Sequence, residues 1–454
     1  MQPVAPVAVL GLGDTGWAAV KWLRSQGVEV QVFDTRRTPP YQDRLAQEYP
    51  EVGFQGGEIA DDALLGVAWV MISPGVPLTT AAVTMAQSRG IPVLGDVEVM
   101  AQVLASRSQR PQVVAVTGAN GKSTVCTLLG AMARSAGYEV IVAGNIGTPV
   151  LEHLGQRSLP QVLVLELSSF QLETLHNLAP DAAVVLNVTE DHMDRYPDMA
   201  AYAAAKARIY QGCRQAVANR QDSWVQQMAP ATAITFGLDR PMKESDWGLV
   251  EDAEPWFCLG SERIMKRSEF PLWGQHNGAN ALAALAVGTA LGWSREGMLS
   301  ALRQFEGLPH RVERVAVVEG VAYIDDSKGT NVGATVAALQ GMDTPVILIA
   351  GGDGKGQDFA PLRAAVDDHA RAVILIGRDG PQIARVLEGS VVPQRFARDL
   401  TDAVNQAAAL AQSGDTVLMS PACASFDMFR HYVHRAEVFR QAVAGLGLAR
   451  QGER

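Results

Sequence analysis

What the chain lacks removes several classes at once. No run of about 18 or more residues is continuously apolar, so no membrane-spanning helix is expected. The opening MQPVAPVAVLGLG is apolar but carries no basic segment and runs straight into a glycine motif, which predicts a first strand rather than a secretory signal. Only four cysteines occur, Cys126, Cys213, Cys258 and Cys423, with no CxxC spacing. That argues against a disulfide-stapled scaffold and predicts reduced thiols in a cytoplasmic protein. There is no short-period repeat and no low-complexity linker. A net charge of −10 argues against a nucleic-acid-binding surface, while leaving room for anionic substrates at local basic groups. What is present is ordinary globular composition, 48% apolar and 19% charged, over 454 residues. A chain of that length exceeds one core and suggests about three domains.

The most informative stretch is Val113-Val114-Ala115-Val116 followed by Thr117-Gly118-Ala119-Asn120-Gly121-Lys122-Ser123-Thr124. A β-branched run, a glycine turn and a helical pattern from Val125 onward predict strand, loop and helix. That layout aims backbone N–H groups and a helix N-terminus at a phosphate chain. Lys122 would place a point charge on the terminal phosphates, and Ser123 or Thr124 would offer a hydroxyl to Mg²⁺. The spacing is one glycine short: a standard loop has Gly five positions before Gly121, and Val116 stands there.

Upstream, the strand Val7-Ala8-Val9-Leu10 leads into Gly11-Leu12-Gly13-Asp14-Thr15-Gly16, then a helix to Gln26 and a strand ending at Asp34-Thr35-Arg36. This βαβ unit fits a dinucleotide, a nucleotide-sugar diphosphate, or a tight helix–sheet turn with no ligand. Asp34 could accept from a hydroxyl or a ring N–H. A further strand, Ala68 to Ile72, ends at Ser73-Pro74-Gly75, and the first domain is expected to close near Ile91-Pro92-Val93.

Downstream, Val162 to Leu167 reads as a buried strand with Glu166 near its end, a position suited to a Mg²⁺ ligand or to a structural ion pair. Asn187 to Asp194 gathers three carboxylates and His192 after another strand, which favours a metal or substrate site. Lys206 lies in a strong helix former and reads locally as a solvated lysine. Asn277 and Asn280 stand at a helix start, where they could cap it or read a base. Arg220 to Phe270 reads as irregular and short-stranded. After Phe305 to Arg311, strands near Ile324, Ala350, Ile376 and Met419 each end in a polar or glycine loop, which predicts another open parallel sheet. Cys423 has no base near it in sequence and reads as a small buried residue.

Together, the Thr117–Thr124 loop, Glu166-Leu167-Ser168-Ser169-Phe170-Gln171, Asp191-His192-Met193-Asp194, His276-Asn277 with Asn280, and Asp326-Ser327-Lys328 resemble the Mur ligases, in order and over nearly the whole chain. The first glycine motif with Asp34-Thr35-Arg36, the Ser73-Pro74-Gly75-Val76 turn, Gly351 to Lys355 and Ser420 to Ser425 are similar to the D-glutamate-adding branch. The Asp-Asn-Pro-Arg signature of the diaminopimelate-adding branch is absent.

The resemblance implies an α/β protein in which two Rossmann-like open parallel sheets, 1–95 and 309–454, flank a central P-loop ATPase, 96–308. It implies ATP-dependent amide formation between UDP-N-acetylmuramoyl-L-alanine and D-glutamate through an acyl phosphate, by a monomer. Gly13, Asp14, Thr15, Asp34, Thr35, Arg36, Gly75 and Asn145 would face the UDP substrate. Thr117 to Thr124, Asn277, Arg311 and Asp326 would hold ATP. Ser123, Glu166, His192 and a carbamylated Lys206 would hold two Mg²⁺ ions. Lys328, Thr330, Lys355, Ser425, Phe426 and Tyr432 would surround D-glutamate, with Lys122, Glu166, His192, Lys206 and Lys328 as the catalytic set. Tyr432 and Asp14 depart from the Phe and Leu that the family places there. Competing expectations are a ligase for another amino acid, a dinucleotide-dependent oxidoreductase, which leaves the Lys122 loop unexplained, and a silent nucleotide-binding regulator.

Overall fold

The computed structural model describes residues 6–154, 159–272 and 274–451. Three α/β sheets follow one another along the chain, each dominated by parallel pairing.

The first takes β1 (Val7–Leu10), β2 (Val30–Asp34), β3 (Gly53–Gly56), β4 (Val70–Ile72) and β5 (Val93–Leu94) in the order β3-β2-β1-β4-β5. All four residues of β1 are buried, as expected for a short apolar run in a parallel sheet covered on both faces. The helix Asp14–Ser25 leaves this sheet through a very tight turn: a Cβ on Gly16 would lie 1.8 Å from the Gly11 carbonyl oxygen. Alanine there would gain about 1 kcal/mol of helix propensity. It would also force two backbone segments apart, an overpacking cost of about 1–3 kcal/mol. Gly16→Ala is therefore expected to lower the midpoint of thermal unfolding, read by calorimetry on the full chain; an unchanged or raised midpoint would contradict this packing.

The second sheet is built from β6 (Gln112–Thr117), β7 (Val140–Gly144), β8 (Val162–Glu166), β9 (Ala182–Val185), β10 (Gln215–Asn219), β11 (Ile234–Phe236), β12 (Trp247–Glu251), β13 (Pro255–Leu259) and β14 (Glu262–Lys266). The order is β14-β13-β12-β11-β10-β9-β6-β8-β7, which places β6 between β9 and β8. Its side chains alternate with the pleat. Val114 and Val116 join the core formed with helices Lys122–Ser135 and Gln275–Ala290. Val113 and Ala115 join a core that runs on through helix Asp96–Ala105 to the helix face of the first sheet. The stretch that read as irregular, from Arg220 onward, is where β12, β13 and β14 extend the sheet as an antiparallel meander. Strands this short, with a bulge at Phe257/Cys258, leave little periodicity to detect.

The third sheet has the order β15-β16-β20-β17-β18-β19, from β15 (Glu313–Val318), β16 (Val321–Asp325), β17 (Val346–Gly351), β18 (Ala370–Ile376), β19 (Gln394–Phe396) and β20 (Thr416–Met419). Only β15 is antiparallel. Because β16, β20 and β17 are neighbours, the loops starting at Asp326, Ser420 and Gly352 lie side by side at one sheet edge. No described helix is long and apolar enough to cross a membrane.

Candidate active site

The loop after β6 is the strand–turn–helix that the sequence predicts. Gly118 (φ +158°) and Gly121 (φ +84°) take backbone conformations that disfavour other residues, and Gly121 caps helix Lys122–Ser135. The Ala119 and Asn120 N–H groups donate to the Asn187 carbonyl and Oδ1, at 2.9 and 2.8 Å, which fixes the loop to the end of β9. The first N–H groups of the helix have no partner within it, the arrangement that suits an anion at a helix start.

Three titratable side chains converge beneath this loop. Lys122 Nζ arches back to donate to the Gly118 and Ala119 carbonyls at 2.8 and 2.9 Å. Burial lowers its pKa, while Glu166 and Asp191 pull the other way. Glu166, 2% exposed, sits at the end of β8, in register with Val116. Its Oε1 accepts from Asn145 Nδ2 at 3.0 Å. Among the described residues no group donates to its buried Oε2. Lys206, on helix Met199–Ala207, is only 1% exposed and donates to the Gly118 carbonyl at 2.9 Å. Burial, reinforced by Lys122, pushes its amine well below the ordinary lysine range. The solvated-lysine expectation is overturned: helix composition says nothing about which face meets the sheet.

His192 (φ +59°) lies beside them at the end of the Asn187–Asp191 run, its ring 4.6 Å from that of Phe170. Burial lowers its pKa to about 4, against the opposing pull of Asp191, so the imidazole is neutral near neutral pH and can donate a lone pair.

The third sheet closes over this cluster. Arg311 Nη2 donates to Ser123 Oγ at 3.1 Å, Lys355 forms an ion pair with Asp191, and the Asp358 N–H donates to Glu190 Oε2 at 3.1 Å. Between the loop, helix Gln275–Ala290 and the third sheet lies a cavity of about 680 Å³. Asn120, Gly121, Thr124, Asn277, Arg311 and Asp326 line it, all expected from the sequence. Asn277 and Asn280 do not cap their helix, because Gly274 is its N-cap and no side chain bonds there. Burial raises the Asp326 carboxyl to about 7 despite the Ser420 hydroxyl donating to it at 2.7 Å. Lys328 Nζ lies 4.0 Å from the centre of the Tyr432 ring, next to this cavity through Gly329.

The remaining expected positions are spread more widely. Ser425 is buried, Thr330 half-buried, and Phe426 is 74% exposed. At the edge of the first sheet, Gly13 and Thr15 are half-buried, whereas Thr35, Arg36 and Gly75 are exposed. Asp14 accepts from the Tyr41 hydroxyl at 2.6 Å. Asp34 is saturated. Its Oδ1 takes the Arg36 N–H and Nε at 2.8 and 2.9 Å, and its Oδ2 takes the Leu12 N–H and Arg36 Nη2 at 2.6 and 2.7 Å. Four donors fill the four lone-pair sites of a carboxylate, so Asp34 braces the glycine turn instead of offering an acceptor to a ribose. Burial pushes the Cys423 thiol up, consistent with the inert role expected of it.

Sequence reasoning gave no role of their own to His276, Asn187 and Asn331, although the first two lie in stretches it singled out. His276 lines the cavity, with its pKa lowered to about 4 by burial, and among the described residues its Nδ1 has no partner. Only its place beside Asn277 could have marked it.

Family models match three consecutive stretches: the Mur ligase MurD-like N-terminal domain over residues 5–95, the Mur ligase middle domain over 116–288, and the Mur ligase glutamate ligase domain over 310–423. A relative in Methylobacillus flagellatus, UDP-N-acetylmuramoylalanine--D-glutamate ligase, is 53% identical over 443 residues, covering 97% of each chain. One of the same name in Thiobacillus denitrificans is 53% identical over 98% of this chain and 97% of its own. Among solved structures, a pseudomurein peptide ligase type C from Methanothermus fervidus superposes with a TM-score of 0.62 at 16% identity, covering 97% of this chain and 100% of that one. UDP-N-acetylmuramate-alanine ligase from Thermotoga maritima gives 0.61 at 18%, covering 97% and 99%. These two likenesses concern the fold alone.

Proposed function

This chain belongs to the Mur ligase family, and we propose that it joins D-glutamate to UDP-N-acetylmuramoyl-L-alanine at the expense of ATP, as a cytoplasmic monomer serving peptidoglycan precursor synthesis. The observation that carries this reading is the docking of the third sheet on the phosphate loop, through Arg311–Ser123 and Lys355–Asp191. It brings Lys355, from the edge of the third sheet, against the Asp191 turn at the edge of the second, which supports transfer between a phosphoryl group held at one edge and an amino acid held at the other. Residues 1–95 then form the UDP-binding domain, 96–308 the P-loop ATPase and 309–454 the amino-acid domain.

In this reading the nucleoside of ATP fills the cavity beside Asn277 and Asp326, and the Gly118–Lys122 loop holds its phosphates. The edge of the first sheet, from Gly13 to Thr15 with Arg36, Gly75 and Asn145, directs the UDP substrate so that its terminal carboxylate faces Lys122. The carboxylate oxygen attacks the γ-phosphorus and the bond to the β-phosphate oxygen breaks, giving an acyl phosphate and ADP. Lys122 disperses the charge of the moving phosphoryl group. Lys328, Thr330, Lys355, Ser425, Phe426 and Tyr432 hold D-glutamate, whose neutral amine attacks the acyl carbon. The tetrahedral intermediate then expels phosphate, which carries away the proton lost by the amine, and leaves the amide. Closure keeps water from the acyl phosphate and aligns the amine. The cluster suits Mg²⁺: Glu166 Oε2 is a buried oxygen to which no group among the described residues donates, and His192 is neutral near neutral pH. Ser123, Glu166, His192 and a carbamate on Lys206 would hold two such ions, which supply charge neutralisation at the phosphates. The oxidoreductase alternative loses its main support, since Asp34 has no acceptor to spare.

Phosphate release measured with ATP, Mg²⁺, UDP-N-acetylmuramoyl-L-alanine and single amino acids tests this reading. D-glutamate is expected to exceed D-alanine by about 10²-fold or more, since a site built for the side-chain carboxylate rejects an analogue that lacks it, and to exceed L-glutamate and diaminopimelate, which cannot meet the same partners while presenting the amine to the acyl carbon. Release without amino-acid preference, or only with added NAD(P)H, would overturn it; preference for another amino acid would move the protein to a different branch.

A further inference from the structure

The third sheet meets the phosphate loop through a side chain that the roles above leave out. Asn331, 3% exposed, is the N-cap of helix Val332–Gln340. Its Oδ1 accepts from the Ala334 N–H at 2.9 Å and from Asn120 Nδ2 at 3.2 Å. Its Nδ2 donates to Asn120 Oδ1 at 3.1 Å and to Asp191 Oδ2 at 3.3 Å. A primary amide has two donor hydrogens and two acceptor lone pairs, and here all four are used. The capping bond also fixes which end of the amide is oxygen, because the Ala334 N–H requires an acceptor.

One buried amide thus touches three things at once: its own helix, the phosphate loop, and the turn that carries His192. The neighbouring Gly333 fits tightly on this face, since a Cβ there would lie 3.0 Å from Thr189 Oγ1 and 3.3 Å from Asn120 Nδ2 and would require those side chains to shift by a few tenths of an ångström. The Lys355–Asp191 pair crosses the same interface, but an ammonium on a flexible stem fixes direction poorly. The reciprocal amide pair is directional and survives only when both partners are in register.

We propose that Asn331 is a positioning residue, which registers the amino-acid-binding sheet on the phosphate loop through Asn120 and on the His192 turn through Asp191. Resting on the proposed amide synthesis, it sets the distance between the attacking amine and the acyl phosphate without touching either substrate. Its loss should therefore act on turnover more than on nucleotide binding.

Asn331→Ser separates this role from capping, because serine caps as well as asparagine but is too short to reach Asn120 or Asp191. It is expected to lower kcat for amide formation by about 30-fold or more, an effect of misplaced reactants. KM for ATP should stay within about 3-fold and Tm should be nearly unchanged. Asn120→Ala should lower kcat similarly, with the double variant no worse than the poorer single one, as for two halves of one contact. Gly333→Ala, which favours the helix but crowds the interface, should also slow turnover without lowering Tm. Wild-type kcat in Asn331→Ser, or losses that multiply in the double variant, would overturn the proposal. Amide hydrogen exchange over residues 118–124 reads the same contact without the reaction, and is expected to quicken about 10-fold or more in Asn331→Ser. If the wild-type protein forms no amide product, the proposed function fails on its own, and unchanged exchange would still refute the role of Asn331.

Discussion

Lys122→Ala is expected to reduce phosphate release by about 10³-fold or more at saturating substrates, the scale on which one cation contributes to phosphoryl transfer. The loop needs no repair after the change. The Gly118 carbonyl keeps its bond from Lys206 Nζ, and the glycine conformations are set by the backbone and by Asn187. The buried ammonium costs solvation where it sits, as its lowered pKa shows, so removing it relieves a strain as well as losing two bonds to carbonyls. Stability should therefore change little while the chemistry is lost. Lys122→Arg is no rescue, because a planar fork does not fit where a point charge reaches two carbonyls of its own loop. Phosphate release and calorimetric ATP binding, run on the same preparations, separate the two effects. A variant retaining more than about a tenth of wild-type turnover would remove Lys122 from the transition state.

How much of this could be read in the residues depends on how local the determinant is. The Thr117–Thr124 loop was legible, missing glycine included, because one strand, one turn and one helix specify it. Glu166 was legible as a carboxylate near the end of a buried strand. Asp34 was legible as a residue but not as a role: its saturation by Arg36 and Leu12 depends on how the turn folds back. Lys206 was illegible locally, since an alanine-rich helix gives no sign of which face is covered, and only the whole-chain resemblance pointed to it. Asn331 escaped altogether. Its partners lie 140 and 211 residues away, and an asparagine before a helix reads as a cap, which it also is. The β12–β14 meander escaped for the opposite reason, its strands being too short to impose a period.

The same burial that hid Lys206 yields the second large effect. Burial holds the Lys206 amine well below the ordinary lysine range, which favours its neutral form, and only a neutral amine adds carbon dioxide, releasing a proton and leaving a carbamate anion. In a site that already holds Lys122, with Arg311 and Lys328 nearby, converting one more potential cation into an anion also suits the binding of Mg²⁺. Lys206→Ala is therefore expected to lower turnover by about 10²-fold or more, the scale for removing a group that orders a metal site. Wild-type activity in buffer stripped of carbon dioxide should fall and recover on addition of bicarbonate, whereas the residual activity of the alanine variant should ignore it. Carbon-13 bicarbonate should give the wild-type protein a carbamate resonance that Lys206→Ala lacks, whether or not substrates are present. Full activity in Lys206→Ala, together with no bicarbonate response and no carbamate signal in the wild type, would leave Lys206 as a plain buried amine bonded to the Gly118 carbonyl.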